Sequence, residues 1–524
     1  MTTLGEALIG LLEAHGVDTV FGIPGVHTVE LYRGLARSNI RHVTPRHEQG
    51  AAFMADGYAR ASRKPGVALL ITGPGVTNAI TPMAQARADS IPMLVISGVN
   101  RSDTLGKGLG YLHELPDQRG LIEKVALFSV RVTEPAELPV ALAKAFAIFA
   151  SGRPGPVHIE IPLDAMIKDA EGLAATPVTV RPPGPEAALI EIAARLASAA
   201  RSPLIIAGGG ARHAEQPLRA LGEKLDAPVV LTINARGLIH GHPLVVPASP
   251  SLKAVRRLMK ESDLVIGVGT EFGPTDFDLN ADGGFELPQN LVRIDIDAGQ
   301  LERRPAAVSI QSDSGEALTA LGAALSAGSG SNGARRAEAT RAGAFHELPP
   351  DMREQVRMLE AIRDTLPGAF VVGDSTQPVY AGNLYYDHDR PGRWFNSSCG
   401  YGALGYGPPA AIGAALAAPG EAVVCLTGDG GFQFTLPEIA VALEAGTPVI
   451  FIVWNNRGYR EIETSMRSVG VEPVGVSPAP PDFVKIADAY GMPAERLVET
   501  AALPAALRRA RVTGKACLIE IVAP

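Results

Sequence analysis

Val423-Val424-Cys425-Leu426-Thr427-Gly428-Asp429-Gly430-Gly431 is an apolar run of strand length that ends in a glycine turn. A helix-length segment follows, and then a second apolar run, Val449-Ile450-Phe451-Ile452-Val453, leading into Asn455-Asn456-Arg457-Gly458-Tyr459. Strand, glycine turn, helix and strand in that order form the repeating unit of a parallel α/β sheet. The same alternation recurs through the chain. Apolar residues at 4, 7, 8, 11 and 12 have a helical period, Gly16 stops them, and Val17 to Phe21 reads as a buried strand. Val67 to Thr72, Met93 to Ser97, Val157 to Ile161, Leu204 to Ala207, Leu264 to Val268 and Leu291 to Ile296 are further strand-length runs separated by helix-length segments. The pattern predicts α/β structure with parallel sheets throughout.

A chain of 524 residues, 46% of them hydrophobic, exceeds what one core holds, since single cores stop growing near ~250 to 300 residues. Two stretches have little to bury. Residues 173–187 are rich in proline, and Ser326 to Gly333 alternates serine and glycine. The expected result is three consecutive α/β domains, over residues 1–172, 188–325 and 345–524. Lys plus Arg is 47 against 55 for Asp plus Glu, a net charge of -8 with no basic run, which argues against nucleic acid as a partner. No apolar run reaches membrane-spanning length and the N-terminus has no leader pattern, so no membrane contact is expected. Cys399, Cys425 and Cys517 lack metal-type spacing and fit a reducing cytoplasm.

The chemistry begins at Gly428-Asp429-Gly430-Gly431. A glycine turn at the end of a strand lets backbone N–H groups approach phosphate oxygens, and the helix that follows presents its positive end. Asp429 offers one hard oxygen to Mg2+, the amide of Asn456 at the end of the next strand a second, and the carbonyl of Gly458 a third. Mg2+ takes few protein ligands and would keep room for two diphosphate oxygens and a water. Either half of this pattern alone is an ordinary turn or helix cap. Together they are specific.

The pairing resembles the diphosphate motif of thiamine-diphosphate enzymes, and resemblance to the acetolactate synthase, benzoylformate decarboxylase and benzaldehyde lyase group extends over essentially the whole chain. It implies a pyrimidine-binding, a middle and a diphosphate-binding domain, with thiamine diphosphate and Mg2+ as cofactors. Arg46-His47-Glu48-Gln49-Gly50-Ala51-Ala52 looks like the family's pyrimidine-binding segment, which makes Glu48 the carboxyl that bonds the aminopyrimidine N1′ and activates the cofactor. In Gly400-Tyr401-Gly402-Ala403-Leu404-Gly405, Leu404 matches the bulky residue that bends the cofactor, and the Gly402 carbonyl matches the acceptor for its 4′-amino group. Thr376 and Gln377, after the strand Phe370 to Val372, are further diphosphate candidates.

Gly22-Ile23-Pro24-Gly25-Val26-His27 and Thr72-Gly73-Pro74-Gly75-Val76-Thr77-Asn78 both end strands and should open at one sheet edge. His27 matches a catalytic histidine of benzaldehyde lyase, whereas benzoylformate decarboxylase has its functional serine one residue earlier, where this chain has Val26. His113 and Glu114 fall where acetolactate synthases have a Phe-Gln-Glu segment over the active site. His113 is read as catalytic, Val26 and Glu114 as facing substrate. Pro203 to Ala211 is a strand and a glycine loop without the spaced dinucleotide fingerprint, so the middle domain is expected to hold no FAD.

The runs Phe21 to Gly34 and His113 to Gln118 resemble 5-guanidino-2-oxopentanoate decarboxylases. The implied reaction is non-oxidative decarboxylation of that 2-oxo acid to an aldehyde and CO2. Glu461, in the helix-like segment after the Asn455-Asn456 turn, would meet the guanidinium. The competing readings are an acetolactate-synthase-like carboligase using pyruvate and a non-catalytic thiamine-diphosphate-binding protein. Because the family builds its site from two chains, a homodimer or homotetramer is implied.

Overall fold

The computed structural model describes residues 2–523 except 176, 178, 280, 287 and 326–331. Of the second break expected from sequence, only Asn332 and Gly333 are therefore described. The first helix, Leu4–Ala14, starts with a reciprocal cap in which the Thr3 hydroxyl accepts from the Glu6 N–H and the Glu6 carboxyl accepts from the Thr3 N–H. It stops at Gly16, where φ is +81°.

Three six-stranded sheets follow one another along the chain. The first runs, edge to edge, Arg41–Val43, Thr19–Gly22, Gly66–Leu70, Met93–Val99, Pro156–Pro162 and Phe128–Arg131, every pairing parallel. The second runs Val308–Gln311, Leu291–Asp295, Leu264–Val268, Pro203–Ala207, Val229–Leu231 and Val245–Val246, again parallel. The third runs Trp394–Asn396, Phe370–Gly373, Val423–Gly428, Val449–Asn455, Cys517–Val522 and Ala494–Leu497. Most of these strands are buried on both faces, which is why they read as unbroken apolar runs. Numbered by appearance, the first and third sheets share the order 2-1-3-4-6-5, whereas the middle sheet is 3-2-1-4-5-6, the order of dinucleotide-binding folds.

By compactness the chain forms two units: Met1–Val180 with Gly400–Val498 and Ala510–Pro524, and Arg181–Cys399 with Glu499–Arg509. Within the first, the helices Glu48–Ser62 and Gly407–Ala417 cross so closely that a Cβ on Gly57 would lie 1.9 Å from the Ala410 carbonyl oxygen, and one on Gly413 would lie 2.0 Å from that of Met54. Beside this crossing Arg60 is buried between Asp56 and Asp89, each at 2.6 Å, and the Tyr406 hydroxyl donates to Asp56 at 2.6 Å. Burial lifts the Asp89 carboxyl, with Arg60 pulling the other way, and raises the Tyr406 hydroxyl well above its ordinary range. The cluster fixes Tyr406, and with it the end of the Gly402 loop. Gln85 holds the loop itself by accepting from the Ala403 N–H at 3.2 Å.

In the second unit the glycine loop after Pro203–Ala207 has a packing reason. A Cβ on Gly208 would lie 2.2 Å from the Gly269 carbonyl oxygen, and the Gly210 carbonyl accepts from the Ser314 hydroxyl. Among the described residues no helix is long and apolar enough to cross a membrane. The three cysteines form no disulfide and are buried.

Candidate active site

Glu48 is the first residue of the helix Glu48–Ser62, and His47 caps it by accepting from the Gln49 N–H through Nδ1 at 3.1 Å. The Glu48 side chain is half-buried. Its Oε2 accepts from the Asn78 amide at 2.9 Å, and Gly75 lies beside it, so that a Cβ there would stand 3.7 Å from Oε1. The Thr72–Asn78 loop expected from sequence thus meets Glu48 directly. One carboxylate oxygen is steered by Asn78, and Oε1 flanks a residue with no side chain.

His27 follows the strand Thr19–Gly22 and is buried, its ring centroid 5.1 Å from that of His113. Burial pushes the His27 imidazole below its ordinary pKa, the neighbouring His113 adds to this, and a bond with Asn100 works the other way. The imidazole is therefore predominantly neutral at pH 7. His113 is held with φ +61°, a left-handed conformation uncommon outside glycine, and its backbone packs on Gly73. Glu114 turns back on its own loop: its carboxyl accepts from the N–H groups of Leu109, Gly110 and Tyr111. Burial works against its charge, but these donors outweigh it and hold the carboxyl below its usual range. Val26 is exposed.

Gln118, buried, ties the loops at this sheet edge. Its Oε1 accepts from the Thr72 hydroxyl and the Gly73 N–H, and its Nε2 donates to Ser97, the Gly98 carbonyl and Glu160. The network ends at Arg131, 2.6 Å from Glu160.

The second half of the candidate site lies at the ends of Val423–Gly428 and Val449–Asn455, paired parallel from Val423↔Val449 to Gly428↔Trp454. Burial pushes the Asp429 carboxyl up, and the backbone N–H groups of Asn456, Gly458 and Gly430 donate to it and pull it down. The backbone N–H groups of Asn456 and Gly458 therefore face the Asp429 carboxyl. Asn455 is turned away: its amide donates to the buried Glu520 at 2.7 Å, which leaves Asn456 as the asparagine at the site. Gly430 has its own packing reason, because a Cβ there would lie 2.5 Å from the Tyr459 ring. Gly402, at φ +80°, has nothing within 4 Å of where a Cβ would be, and Leu404 beside it is half-buried. Thr376, buried, precedes the helix Gln377–Leu384 in the other compact unit and makes no capping bond through its side chain. Glu461 is half-buried on the helix Arg460–Ser468, whose residues are all partly or fully exposed.

Residues 2–121, 190–321 and 374–521 match, in that order, the N-terminal thiamine pyrophosphate binding domain, the central domain and the C-terminal thiamine pyrophosphate binding domain of the thiamine pyrophosphate enzymes. The chain belongs to the thiamine pyrophosphate enzyme family. Among relatives of this thiamine pyrophosphate enzyme, a probable 2-ketoarginine decarboxylase of Pseudomonas aeruginosa is 45% identical over 499 residues, 93% of this chain and 88% of that one. The acetolactate synthase large subunit of Corynebacterium glutamicum is 31% identical over 97% of this chain and 84% of its own. The Escherichia coli acetolactate synthase isozyme 1 large subunit is 30% identical over 94% and 88%.

The donor set of this thiamine pyrophosphate enzyme fits a diphosphate and a hard cation. Asp429, the Asn456 amide and the Gly458 carbonyl offer oxygen donors with a single carboxylate among them, which would suit an ion that keeps part of its water shell. Gly402 is exposed, with open space where a side chain would be. Sequence reasoning marked the Thr72–Asn78 loop but missed the bond from Asn78 to Glu48 and the bracing by Gln118. The Asn at the end of a Gly-Pro-Gly loop was the available signal for the first; Gln118, inside a segment already singled out, was the signal for the second.

Proposed function

We propose that this enzyme decarboxylates 5-guanidino-2-oxopentanoate, which is 2-ketoarginine, to an aldehyde and CO2, using thiamine diphosphate and Mg2+. When bound, the cofactor supplies the carbanion that adds to the 2-oxo carbonyl and the electron sink for the pair left as CO2 departs. The protein does the rest. Glu48 shares a proton with the aminopyrimidine N1′, and Asn78 keeps its carboxyl in place. Asp429, the Asn456 amide and the Gly458 carbonyl hold Mg2+ and through it the diphosphate, with Thr376 and Gln377 as further diphosphate contacts. Leu404 supports the bent cofactor, with the Gly402 carbonyl as acceptor for the amino group. His27 and His113, their ring centroids 5.1 Å apart and their planes tilted by 39°, are the pair that relays a proton to the product carbon.

The observation that carries the substrate is an acidic residue, Glu461, one turn beyond the Asn456–Gly458 ligand turn, in a chain 45% identical to a probable 2-ketoarginine decarboxylase. A carboxylate there suits a guanidinium, which it meets through two parallel hydrogen bonds. Incubation with a panel of 2-oxo acids and product analysis tests the reaction: release of a guanidino aldehyde supports it, and acetolactate from pyruvate as the main product would replace it by carboligation. Glu461→Gln is expected to lower kcat/KM for the guanidino acid by roughly 1.5 to 3 kcal/mol, the range for a hydrogen bond to a charged group, and to spare an uncharged aliphatic 2-oxo acid. Equal losses on both substrates would return Glu461 to a general role.

The active form is proposed to be a homodimer or homotetramer. Val26, Tyr401 and Phe434, beside the candidate site, are 69%, 54% and 54% exposed, and Val469 and Val474, after the Glu461 helix, are 75% and 76% exposed. Apolar surface of this kind marks an interaction face. Light scattering on the purified enzyme should give at least twice the 54.7 kDa chain mass, and a monomer would refute the assignment.

A further inference from the structure

The turn that presents Glu48 is held from an unexpected direction. Glu438, 1% exposed, directs its carboxylate at the backbone just before the Glu48 helix: Oε1 accepts from the N–H groups of Arg46 at 3.1 Å and His47 at 3.0 Å, and Oε2 accepts from Arg46 at 3.0 Å. Glutamates are almost never fully buried without partners. Here the partners are peptide N–H groups at 392 and 391 residues' separation.

The fit is reciprocal, because a Cβ on Gly50 would lie 2.1 Å from Glu438 Oε1. Glycine at position 50 makes room for the carboxyl. Around it, Arg41 donates to the Ala445 carbonyl at 2.9 Å and Arg46 pairs with Glu444, so the strand-to-helix turn is pinned along the Leu436 to Ala445 segment. The residue just before that segment reaches the Gly402–Gly405 loop: the Thr435 hydroxyl donates to the Gly405 carbonyl at 2.8 Å. Burial pushes the Glu438 carboxyl up to about 7, the Arg46 and His47 N–H groups and the Arg46 charge pull it down, and the charge on Glu48 raises it further. Glu438 and Glu48 are thus electrostatically aware of each other.

We propose that Glu438 is a positioning residue for Glu48: its buried carboxyl clamps the Arg46–His47 peptide groups and so fixes the turn from which the Glu48 side chain is aimed at the cofactor. The inference rests on the reading of Glu48 as the activating acid. Loss of the clamp lets the first turn of the helix drift, and a misplacement of about 1 Å at a reacting group costs on the order of 100-fold in rate.

The test compares Glu438→Ala, Glu438→Gln and Glu48→Gln in the holoenzyme by three readouts: deuterium exchange at the cofactor's C2, cofactor affinity, and backbone amide exchange over residues 44–50. Glu438→Ala should expose the Arg46 and His47 amides and slow C2 exchange by roughly 10- to 100-fold, with cofactor affinity retained, since no diphosphate ligand is touched. Glu438→Gln should restore both, because the amide oxygen still accepts from both N–H groups. If Glu438→Ala fails to fold, Gly50→Ala displaces the carboxyl with the residue intact and is read in the same way. Wild-type C2 exchange in Glu438→Ala alongside slow exchange in Glu48→Gln would overturn the clamp alone. Glu438→Gln as slow as Glu438→Ala would also overturn it. Wild-type exchange in Glu48→Gln would instead remove the reading of Glu48 on which it stands.

Discussion

Glu48→Gln is expected to bind thiamine diphosphate about as well as the wild type and yet to deprotonate it at C2 some ~10² to 10⁴ times more slowly, the usual contribution of a positioned acid or base. The separation follows from what glutamine keeps and what it loses. In the wild type the Asn78 amide donates to Glu48 Oε2 at 2.9 Å. A glutamine at position 48 can keep its oxygen toward Asn78 and turn its amide nitrogen toward N1′, so that a neutral hydrogen bond to the pyrimidine survives. No proton is then available to share with N1′. Position 48 then no longer supports proton exchange with a bound cofactor, while Asp429, Asn456 and Gly458 are untouched and affinity stays. Quenched-flow exchange of C2 hydrogen for deuterium, with a cofactor titration alongside, reads both quantities. C2 exchange at the wild-type rate would exclude Glu48 from the chemistry.

The division between what the sequence disclosed and what it concealed follows the range of the interactions. Strands such as Leu264–Val268 lie where the apolar runs placed them, because a strand covered on both faces has no polar side to interrupt the run. The first helix stops near Gly16 for a local reason, a backbone with φ +81° that a side chain resists. The spacing from Asp429 to Asn456 was legible because it spans one strand–helix–strand unit, and the parallel register from Val423↔Val449 to Gly428↔Trp454 turns that spacing into proximity. Other features depend on pairs that no local pattern encodes. Glycine at 50 and 57 looks like a weak spot in a helix; it becomes intelligible only against Glu438 and the Ala410 carbonyl. Glu114, read from sequence as a substrate-facing acid, also accepts from three backbone N–H groups of its own loop, a set of bonds that the residue type does not announce.

The two halves of the candidate site also differ in how they hold charge, and this bears on which substitutions the fold tolerates. Glu48 is half-buried at a helix start, where a carboxylate is favoured by the helix dipole. Asp429 is 2% exposed, and burial holds its carboxyl above its ordinary range although peptide N–H groups pull the other way. On the proposed roles, a neutral residue costs the first position chemistry and the second position binding.

Asp429→Ala should accordingly lose most of the Mg2+-dependent affinity for thiamine diphosphate. Removing an outer-sphere partner from a metal site already costs about 10- to 100-fold in affinity, and removing the carboxylate proposed to bind the metal should cost at least that much. The fold should largely persist, because Val423–Gly428 and Val449–Asn455 remain paired along their full register and the strand cores do not involve the carboxylate. The N–H groups of Asn456, Gly458 and Gly430 lose their acceptor, so some loosening of the turn is expected, at about 1 to 3 kcal/mol for a buried donor left unpaired. Asp429→Asn separates the two effects. Its amide oxygen can still accept from the backbone while the charge is gone, so stability should return toward the wild type and metal-dependent affinity should not. Calorimetric titration of cofactor with and without Mg2+, paired with thermal unfolding of the cofactor-free protein, measures both. Unchanged cofactor and metal binding in Asp429→Ala would show that the diphosphate is held elsewhere.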